Sequence, residues 1–337
     1  MEISKEDILK KLPLEIIIIL GTLAVYLIAK SVLDPQDKNA GLVLLFLSAL
    51  VVFELVYFVW KEIKEGVSRH GWKHEIVDTL IAIVVAVLLW AGASVILNTT
   101  TPVSAVVSCS MLPNLERGDF IIVQGAGIDA YEIEMSGEEM QSLSEDTTVT
   151  AGGQNFILPM PLYAYCNCHR TEPLCVQFAD NPESVIEKTG PFIYHYGACT
   201  VDFRNGVGGY GKCLEYVEFR GEKYYQNLSH DVIVYAPPAG DLFAGVGDIV
   251  HRTFFKINAD GKTYYLTKGD NNPIFDIQMA DASCRNPDIR NHPIPQENVR
   301  GKVIGRVPYL GYLKLFIVGQ WNEDEQCGWQ IDYTTVR

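Results

Sequence analysis

Three long apolar segments in the first hundred residues constrain the fold more than any other feature of the sequence. They span about residues 12–33, 40–60 and 77–97. A helix of about 20 apolar residues crosses a hydrocarbon core of about 30 Å. We therefore expect residues 1–98 to form a membrane anchor with three transmembrane helices. The first segment carries Glu15 and Lys30 near its ends, and an amphipathic or re-entrant segment is the alternative there.

Basic residues in the short loops predict the orientation of this anchor. They are concentrated between the second and third segments, at Lys61, Lys64, Arg69 and Lys73. They also occur at the N-terminus, at Lys5, Lys10 and Lys11. The positive-inside rule places both regions in the cytoplasm. Three crossings would then put everything after about residue 98 on the extracytoplasmic side of a cell membrane, in a multi-pass protein.

After residue 98 the sequence changes to short segments rich in Val, Ile, Tyr, Phe and Thr, separated by Gly, Pro and Asn. Such segments are typical of β-strands. We expect strands over Ala105–Ser108, Phe120–Val123, Asp231–Tyr235, Asp248–Phe255, Thr263–Thr267 and Lys302–Val307. The expected fold class is therefore N-terminal transmembrane α-helices followed by a mostly β domain, made of residues 99–124 and 230–320, with a C-terminal tail at 321–337.

The charge of the chain excludes one class of partner. Its 27 basic and 41 acidic side chains give a net charge of −14, and residues 1–100 hold only 9 and 11 of them. The rest of the chain therefore carries −12. Because nucleic acid is bound mainly by neutralising its phosphates, we expect no nucleic-acid partner.

Residues 125–229 differ from the segments on either side. They begin with an acidic, Ser/Thr-rich stretch, show little regular periodicity and contain five of the eight cysteines. In an oxidising compartment these cysteines predict a small, loop-rich inserted subdomain held by disulfides. The five are Cys166, Cys168, Cys175, Cys199 and Cys213, and because five is odd, one would stay free or pair with Cys284 or Cys327. The alternative is a zinc site formed by Cys166, Cys168, His169 and Cys175, although Cys-x-Cys-His is tighter than the usual zinc spacing.

Two residues on either side of this insertion could act together chemically. Ser110 stands where a β-like run stops, shortly before Pro113, which would expose its hydroxyl at an edge. A hydroxyl becomes a nucleophile when a base accepts its proton, and the imidazole of His251, in a later β run, suits that task at neutral pH. Asp270 and Asp276 flank a Gly/Asn turn, and one of them could orient the imidazole.

Four sequence motifs surround these residues. They are Ser108-Cys-Ser-Met-Leu-Pro-Asn-Leu-Glu-Arg-Gly-Asp119, Asp248-Ile-Val-His-Arg252, Lys268-Gly-Asp-Asn-Asn-Pro-Ile-Phe-Asp276 and Gly305-Arg-Val-Pro-Tyr-Leu-Gly-Tyr-Leu313. In this order they resemble the motifs of type I signal peptidases, in the archaeal and endoplasmic-reticulum branch. The resemblance covers residues 98–124 and 231–318 and the upstream anchor. It implies a signal-peptidase-like catalytic domain with a Cys-rich insertion, and thus a membrane-bound serine endopeptidase that cleaves signal peptides from secretory precursors.

Position by position, the resemblance implies that Ser110 is the nucleophile and His251 the general base. Ser108 would supply a hydroxyl to an oxyanion hole beside the Ser110 backbone N–H. Asp270 and Asp276 match the acidic positions of the third motif, and Asp276 is the preferred partner of His251. No metal or other cofactor is implied. The implied partners are the lipid bilayer and the cleavage region of a secretory precursor, bound as an added strand.

The sequence departs from the family pattern at several points. Cys109 replaces a smaller residue between the two serines, and we expect it to be a buried small side chain. Ser110 and His251 are 141 positions apart, a longer separation than the family shows, and three membrane segments are also unusual.

Two other functions stay open at this point. Lys268 could be the base of a Ser/Lys peptidase. A non-catalytic membrane receptor or assembly factor could instead use the Cys-rich insertion to bind partners, and association with other membrane subunits is undecided.

Overall fold

A computed structural model describes residues 14–32, 38–204, 206, 208–281, 284, 286, 289–320 and 322–333. The chain divides into two compact units, one running to Ala93 and including Leu313–Glu323, the other made of Ser94–Tyr312 and the residues from Asp324 onward. Parts of the predictions fall outside the described residues. These are Lys5, Lys10 and Lys11, both ends of the first apolar segment at 12–13 and 33, and residues 321 and 334–337 of the predicted tail.

The N-terminal part of the chain is helical. Its helices are α1 (Leu14–Val32), α2 (Lys38–His70) and α3 (Trp72–Ile96). Among the described residues, α3 is the one helix that is long and apolar enough to cross a membrane, as judged by length and composition; α1 contains a shorter apolar stretch, Leu14–Tyr26. Helices thus cover the described parts of all three apolar segments except Leu97, which lies in a turn, and the three-crossing arrangement stays a prediction.

The second unit contains a sheet with the strand order β1-β2-β14-β10-β11-β12-β13. The strands on this path are β1 (Val103–Ala105), β2 (Phe120–Gln124), β10 (Val232–Tyr235), β11 (Ile249–Ala259), β12 (Lys262–Lys268), β13 (Ile294–Pro295) and β14 (Val299–Val307). A further strand, β3 (Tyr131–Met135), pairs in parallel with the distal half of β11. The expected strands are confirmed to within three residues at their starts and within four at their ends. The expectation for Ala105–Ser108 was wrong beyond Ala105, because the Val106 carbonyl accepts from the Gly118 N–H and the Asp119 N–H bonds to the Glu116 carbonyl, which ends the regular ladder.

A second sheet of the same unit has the order β5-β4-β6-β7-β8-β9. Its strands are β4 (Thr147–Ala151), β5 (Gln154–Leu158), β6 (Val185–Thr189), β7 (Phe192–Phe203), β8 (Gly208–Phe219) and β9 (Glu222–Tyr225), and β15 (Trp329–Asp332) pairs with the far end of β7. The loop-rich expectation for residues 125–229 was therefore wrong. In β7, Phe192, Tyr194 and Tyr196 are buried at alternate positions, which is the period of a strand with one face on a core.

Short helices connect these strands. They are α4 (Gly137–Ser142), α5 (Leu162–Cys168) and α6 (Pro173–Asp180). The capping box at the start of α4 joins Ser136 and Glu139, whose side chains each bond to the other's backbone N–H. A last helix, α7 (Tyr312–Ile317), follows β14, and all of it beyond Tyr312 belongs to the first unit.

One hydrophobic core is shared by the two sheets. Phe192 of β7 stacks on Phe255 of β11, with ring centroids 5.3 Å apart, and Phe254 contacts Phe275 edge-on at 4.7 Å. Buried aromatic rings of this kind contribute strongly to core stability. The sheet formed by residues within 125–229 therefore packs directly behind the strand that carries His251.

Four disulfides join all eight cysteines. The pairs are Cys109–Cys327, Cys166–Cys175, Cys168–Cys284 and Cys199–Cys213. The predicted disulfides are confirmed, including the pairing of one insertion cysteine with Cys284. The alternative zinc site loses its thiolates to these bonds. Cys109 is buried as expected, but it is half of a disulfide and not an isolated small side chain.

Candidate active site

The structure places Ser110 and His251 in hydrogen-bond contact although they are 141 residues apart. Ser110 lies at the start of the turn that follows β1, and His251 lies near the start of β11, opposite Ile233 of β10. The Ser110 Oγ is 2.9 Å from His251 Nε2. Both side chains are buried, with 7% and 4% of their residue surface exposed. Such a contact lets the imidazole accept the hydroxyl proton directly.

The other ring nitrogen of His251 contacts Asp276. Nδ1 is 2.6 Å from Asp276 Oδ2, which also accepts hydrogen bonds from Thr267 Oγ1 at 2.6 Å and Tyr235 OH at 3.0 Å. Burial raises the pKa of Tyr235 well above its ordinary value, so its hydroxyl keeps the proton it donates. An ionised carboxylate can only accept, so Nδ1 carries the imidazole proton and Nε2 is free to accept one from Ser110.

Asp270, the second acidic candidate, lies against Arg252. Its two carboxylate oxygens accept from Arg252 Nε and Nη2, both at 2.7 Å, and Oδ2 also accepts from Asn114 Nδ2 at 2.8 Å. The remaining guanidinium nitrogen of Arg252, Nη1, donates to the carbonyls of Leu228 and His230. The pair is buried and bidentate, a geometry that fixes two chain segments to each other. Asp270 therefore fixes the turn after Gly269 to β11, and Asp276 is the carboxylate that contacts His251.

Ser108 lies beside the hydroxyl of Ser110. The two Oγ atoms are 3.2 Å apart, so either hydroxyl can donate to the other. When a hydroxyl attacks a carbonyl carbon, the carbonyl oxygen becomes negatively charged. The Ser108 hydroxyl and the Ser110 N–H are placed to donate hydrogen bonds to such an oxygen.

Lys268, the alternative base, is bonded elsewhere. Its Nζ donates to Gln226 Oε1 at 2.8 Å, to Tyr333 OH at 2.6 Å and to the Gly269 carbonyl at 3.2 Å. Burial lowers the pKa of Lys268 from 10.5 to about 7. The group is thus easily deprotonated, but the base position on the Ser110 hydroxyl is taken by His251.

Asn271 is the main structural residue of the site that sequence reasoning missed. Its backbone N–H donates to the Ser110 carbonyl at 2.7 Å, and its side-chain amide donates to the Cys109 carbonyl at 3.2 Å. The neighbouring Gly269 passes so close that a Cβ there would lie 2.6 Å from the Ser110 carbonyl oxygen. The Gly-Asp-Asn-Asn sequence was a signal for a tight turn, but nothing in it shows which segment the turn would grip.

Comparisons with known proteins give distant similarities. No family profile matches the chain. The chain is 33% identical over 87 residues to the signal peptidase complex catalytic subunit sec11 of Schizosaccharomyces pombe, and 32% identical over 87 residues to that of Sclerotinia sclerotiorum. Each match covers 26% of this chain and 40% or 44% of the relative, so the chain spans less than half of the length of these relatives.

A longer match is to a protein without a described activity. The chain is 25% identical over 222 residues to an uncharacterised protein of Methanocaldococcus jannaschii, covering 65% of this chain and 85% of that protein. The matches to the sec11 subunits support a distant, signal-peptidase-like relationship, in agreement with the motifs in the sequence.

Proposed function

We propose that this chain is a membrane-anchored serine endopeptidase that removes signal peptides from secretory precursors. The observation that carries the proposal is the continuous chain of hydrogen bonds from Ser110 through His251 to Asp276. The similarity to signal peptidase catalytic subunits supports the substrate class.

The first half of the reaction is acyl transfer to Ser110. His251 Nε2 takes the hydroxyl proton as Oγ attacks the carbonyl carbon of the scissile peptide bond. The Ser110 N–H and the Ser108 hydroxyl stabilise the negative oxygen of the tetrahedral intermediate. The C–N bond then breaks, the proton on His251 passes to the leaving amine, and the signal peptide stays bound to Ser110 as an ester.

The second half reverses the proton movements with water as the nucleophile. The water oxygen attacks the ester carbonyl carbon while His251 accepts a proton from the water, and this proton passes to Ser110 Oγ when the ester bond breaks. Asp276 keeps the histidine in the tautomer that both steps need and stabilises the imidazolium formed between them.

The predicted anchor would hold this chemistry at a membrane. We propose that the N-terminus is cytoplasmic and the second unit extracytoplasmic, because the basic residues favour that orientation and α3 is long enough to cross. An oxidising location also suits four disulfides.

The test is cleavage of a fluorogenic precursor peptide by the full chain in detergent or vesicles. Ser110→Ala and His251→Ala should each reduce kcat by about 10⁴ or more without changing thermal stability, because nucleophile and base act as a unit. Ser144→Ala and His169→Ala are matched controls in the second sheet region and should stay within about twofold of wild type.

Two outcomes would redirect the proposal. If Lys268→Met loses cleavage while His251→Ala keeps it, the base is Lys268. If the wild type binds the precursor peptide but cleaves nothing, the receptor function is favoured over the peptidase.

A further inference from the structure

The C-terminal strap, which we define as Asp324–Tyr333, lies on the segment that carries Ser110. It begins with a 3₁₀ turn, Glu325–Gly328, and continues as β15. Cys327 of this strap is joined by a disulfide to Cys109, the residue directly before Ser110. The two cysteines are 218 residues apart in sequence, so the bond links distant parts of the chain at the position next to the nucleophile.

A second link runs through Asn271, which is fully buried between the strap and the Ser110 turn. Its side chain donates to the Trp329 carbonyl at 3.0 Å and accepts from the Ile331 N–H at 2.8 Å. The same residue bonds to the carbonyls of Cys109 and Ser110. Asn271 thus connects β15, through its side chain, to Cys109, and its backbone N–H bonds to Ser110. The backbone of these two residues sets the position of the Ser110 hydroxyl.

Two more strap residues hold the loop around Asn271. Gln326 Nε2 donates to the Asn271 carbonyl at 3.1 Å and to Asn272 Oδ1 at 2.7 Å. Tyr333 donates to the Asn272 carbonyl and accepts from Lys268 Nζ, whose ammonium also lies over the Tyr333 ring, 4.1 Å from its centroid. These bonds hold one arrangement of the chain, since breaking one of them leaves a polar group of the buried Asn271 or Asn272 unsatisfied.

We infer that the strap is a positioning element of the active site, acting through Cys327 and Tyr333 on the segment Cys109–Ser110. The inference rests on the proposed function, because it assigns a task to the strap in activating Ser110. The bonds of Cys327, Gln326 and Tyr333 go to Cys109, Asn271 and Asn272, so the strap acts by fixing the backbone. Displacement of a catalytic group by about 1 Å can lower a rate by about a hundredfold.

The experiment measures the reactivity of Ser110 itself. The full chain reacts with a small alkyl fluorophosphonate: Ser110 Oγ forms a bond to phosphorus, fluoride leaves, and His251 accepts the hydroxyl proton before passing it to solvent. Intact mass spectrometry gives the second-order rate constant, and thermal unfolding is measured on the same samples. The variants are Cys109→Ala/Cys327→Ala, Tyr333→Phe and the control Cys166→Ala/Cys175→Ala, which removes a disulfide between α5 and α6.

We expect the rate constant to fall by about tenfold to a hundredfold in Cys109→Ala/Cys327→Ala. In Tyr333→Phe, which keeps the ring over Lys268 and loses only the hydroxyl, we expect a loss of about threefold or more with the fold retained. The control should stay within about twofold of wild type even where its unfolding midpoint drops.

The contrary results are equally specific. The inference is refuted if Tyr333→Phe and the folded Cys109→Ala/Cys327→Ala both react at the wild-type rate, or if the control loses as much as they do. Should Cys109→Ala/Cys327→Ala not fold, Tyr333→Phe decides alone. An unreactive Ser110 in the wild type would instead refute the proposed function and, with it, the basis of this inference.

Discussion

The two carboxylates of the third motif should have separable roles, since only one of them contacts His251. Asp270 forms a buried bidentate pair with Arg252, whose side chain is 9% exposed against 2% for Asp270. In Asp270→Ala the guanidinium keeps its two carbonyl acceptors but loses its counter-charge, and Asn114 loses an acceptor. Removing one partner of a buried pair costs about 3–5 kcal/mol.

Thermal unfolding is the measurement for Asp270→Ala. For a unit of this size, 1 kcal/mol corresponds to about 2–4 °C, so the midpoint should fall by about 6–20 °C. Arg300→Ala is the matched control, because the Arg300–Asp248 pair is longer, at 3.4 Å, and far more exposed. Its removal should change stability by less than about 1 kcal/mol.

Asp276→Asn should show the opposite pattern. The side-chain amide introduced by this substitution would donate to His251 Nδ1, which moves the ring proton to Nε2 and leaves no acceptor for the Ser110 proton. Turnover of a precursor peptide should then fall by about 10⁴ with little change in the unfolding midpoint. The assignment is refuted if Asp270→Ala keeps full stability, or if Asp276→Asn keeps turnover.

Three further predictions follow from single residues. Burial lowers the pKa of Lys268 from 10.5 to about 7, so between these pH values the unfolded state binds a proton that the folded state does not. The free energy of unfolding should therefore rise with pH across this window. Denaturant titrations should show this rise in the wild type and not in Lys268→Met. Burial raises the pKa of Glu187 from 4.5 to about 6, so stability should fall as pH rises across that window, and Glu187→Gln should lose the fall in the same titrations. In Gly269→Ala the added methyl would lie 2.6 Å from the Ser110 carbonyl oxygen, so kcat for the precursor peptide should fall by about tenfold or more, and an unchanged kcat would contradict the close packing.

Most of the first sheet could be predicted from the sequence because its strands are short, apolar and bounded by turn residues. The contact between Ser110 and His251 was also predictable, since their motifs occur in a recognisable order. The choice between Asp270 and Asp276 was not fixed by spacing alone. Both flank the same turn, and only the path of the loop after Gly269 decides which side chain faces the histidine.

The strap and the second sheet were not predicted from the sequence. Residues 321–337 were predicted to be a tail. The strand β15 was missed because it is only four residues long and pairs with a strand more than 100 residues earlier. Disulfide pairing cannot be deduced from cysteine positions, so Cys109 gave no sign of its bond to Cys327. For residues 125–229, the five cysteines favoured a loop-rich subdomain, although the sequence of β7 has the alternation of a strand. The structure has long strands there.

The most direct test of the central claim is to trap the covalent intermediate. A precursor peptide ester is mixed with the full chain, the reaction is quenched in acid within the first turnover, and the acylated residue is located by peptide mapping. We predict an ester on Ser110 in the wild type, and none above background in His251→Ala over the same time. Acylation of another residue, or equal acylation of Ser110 without His251, would contradict the mechanism.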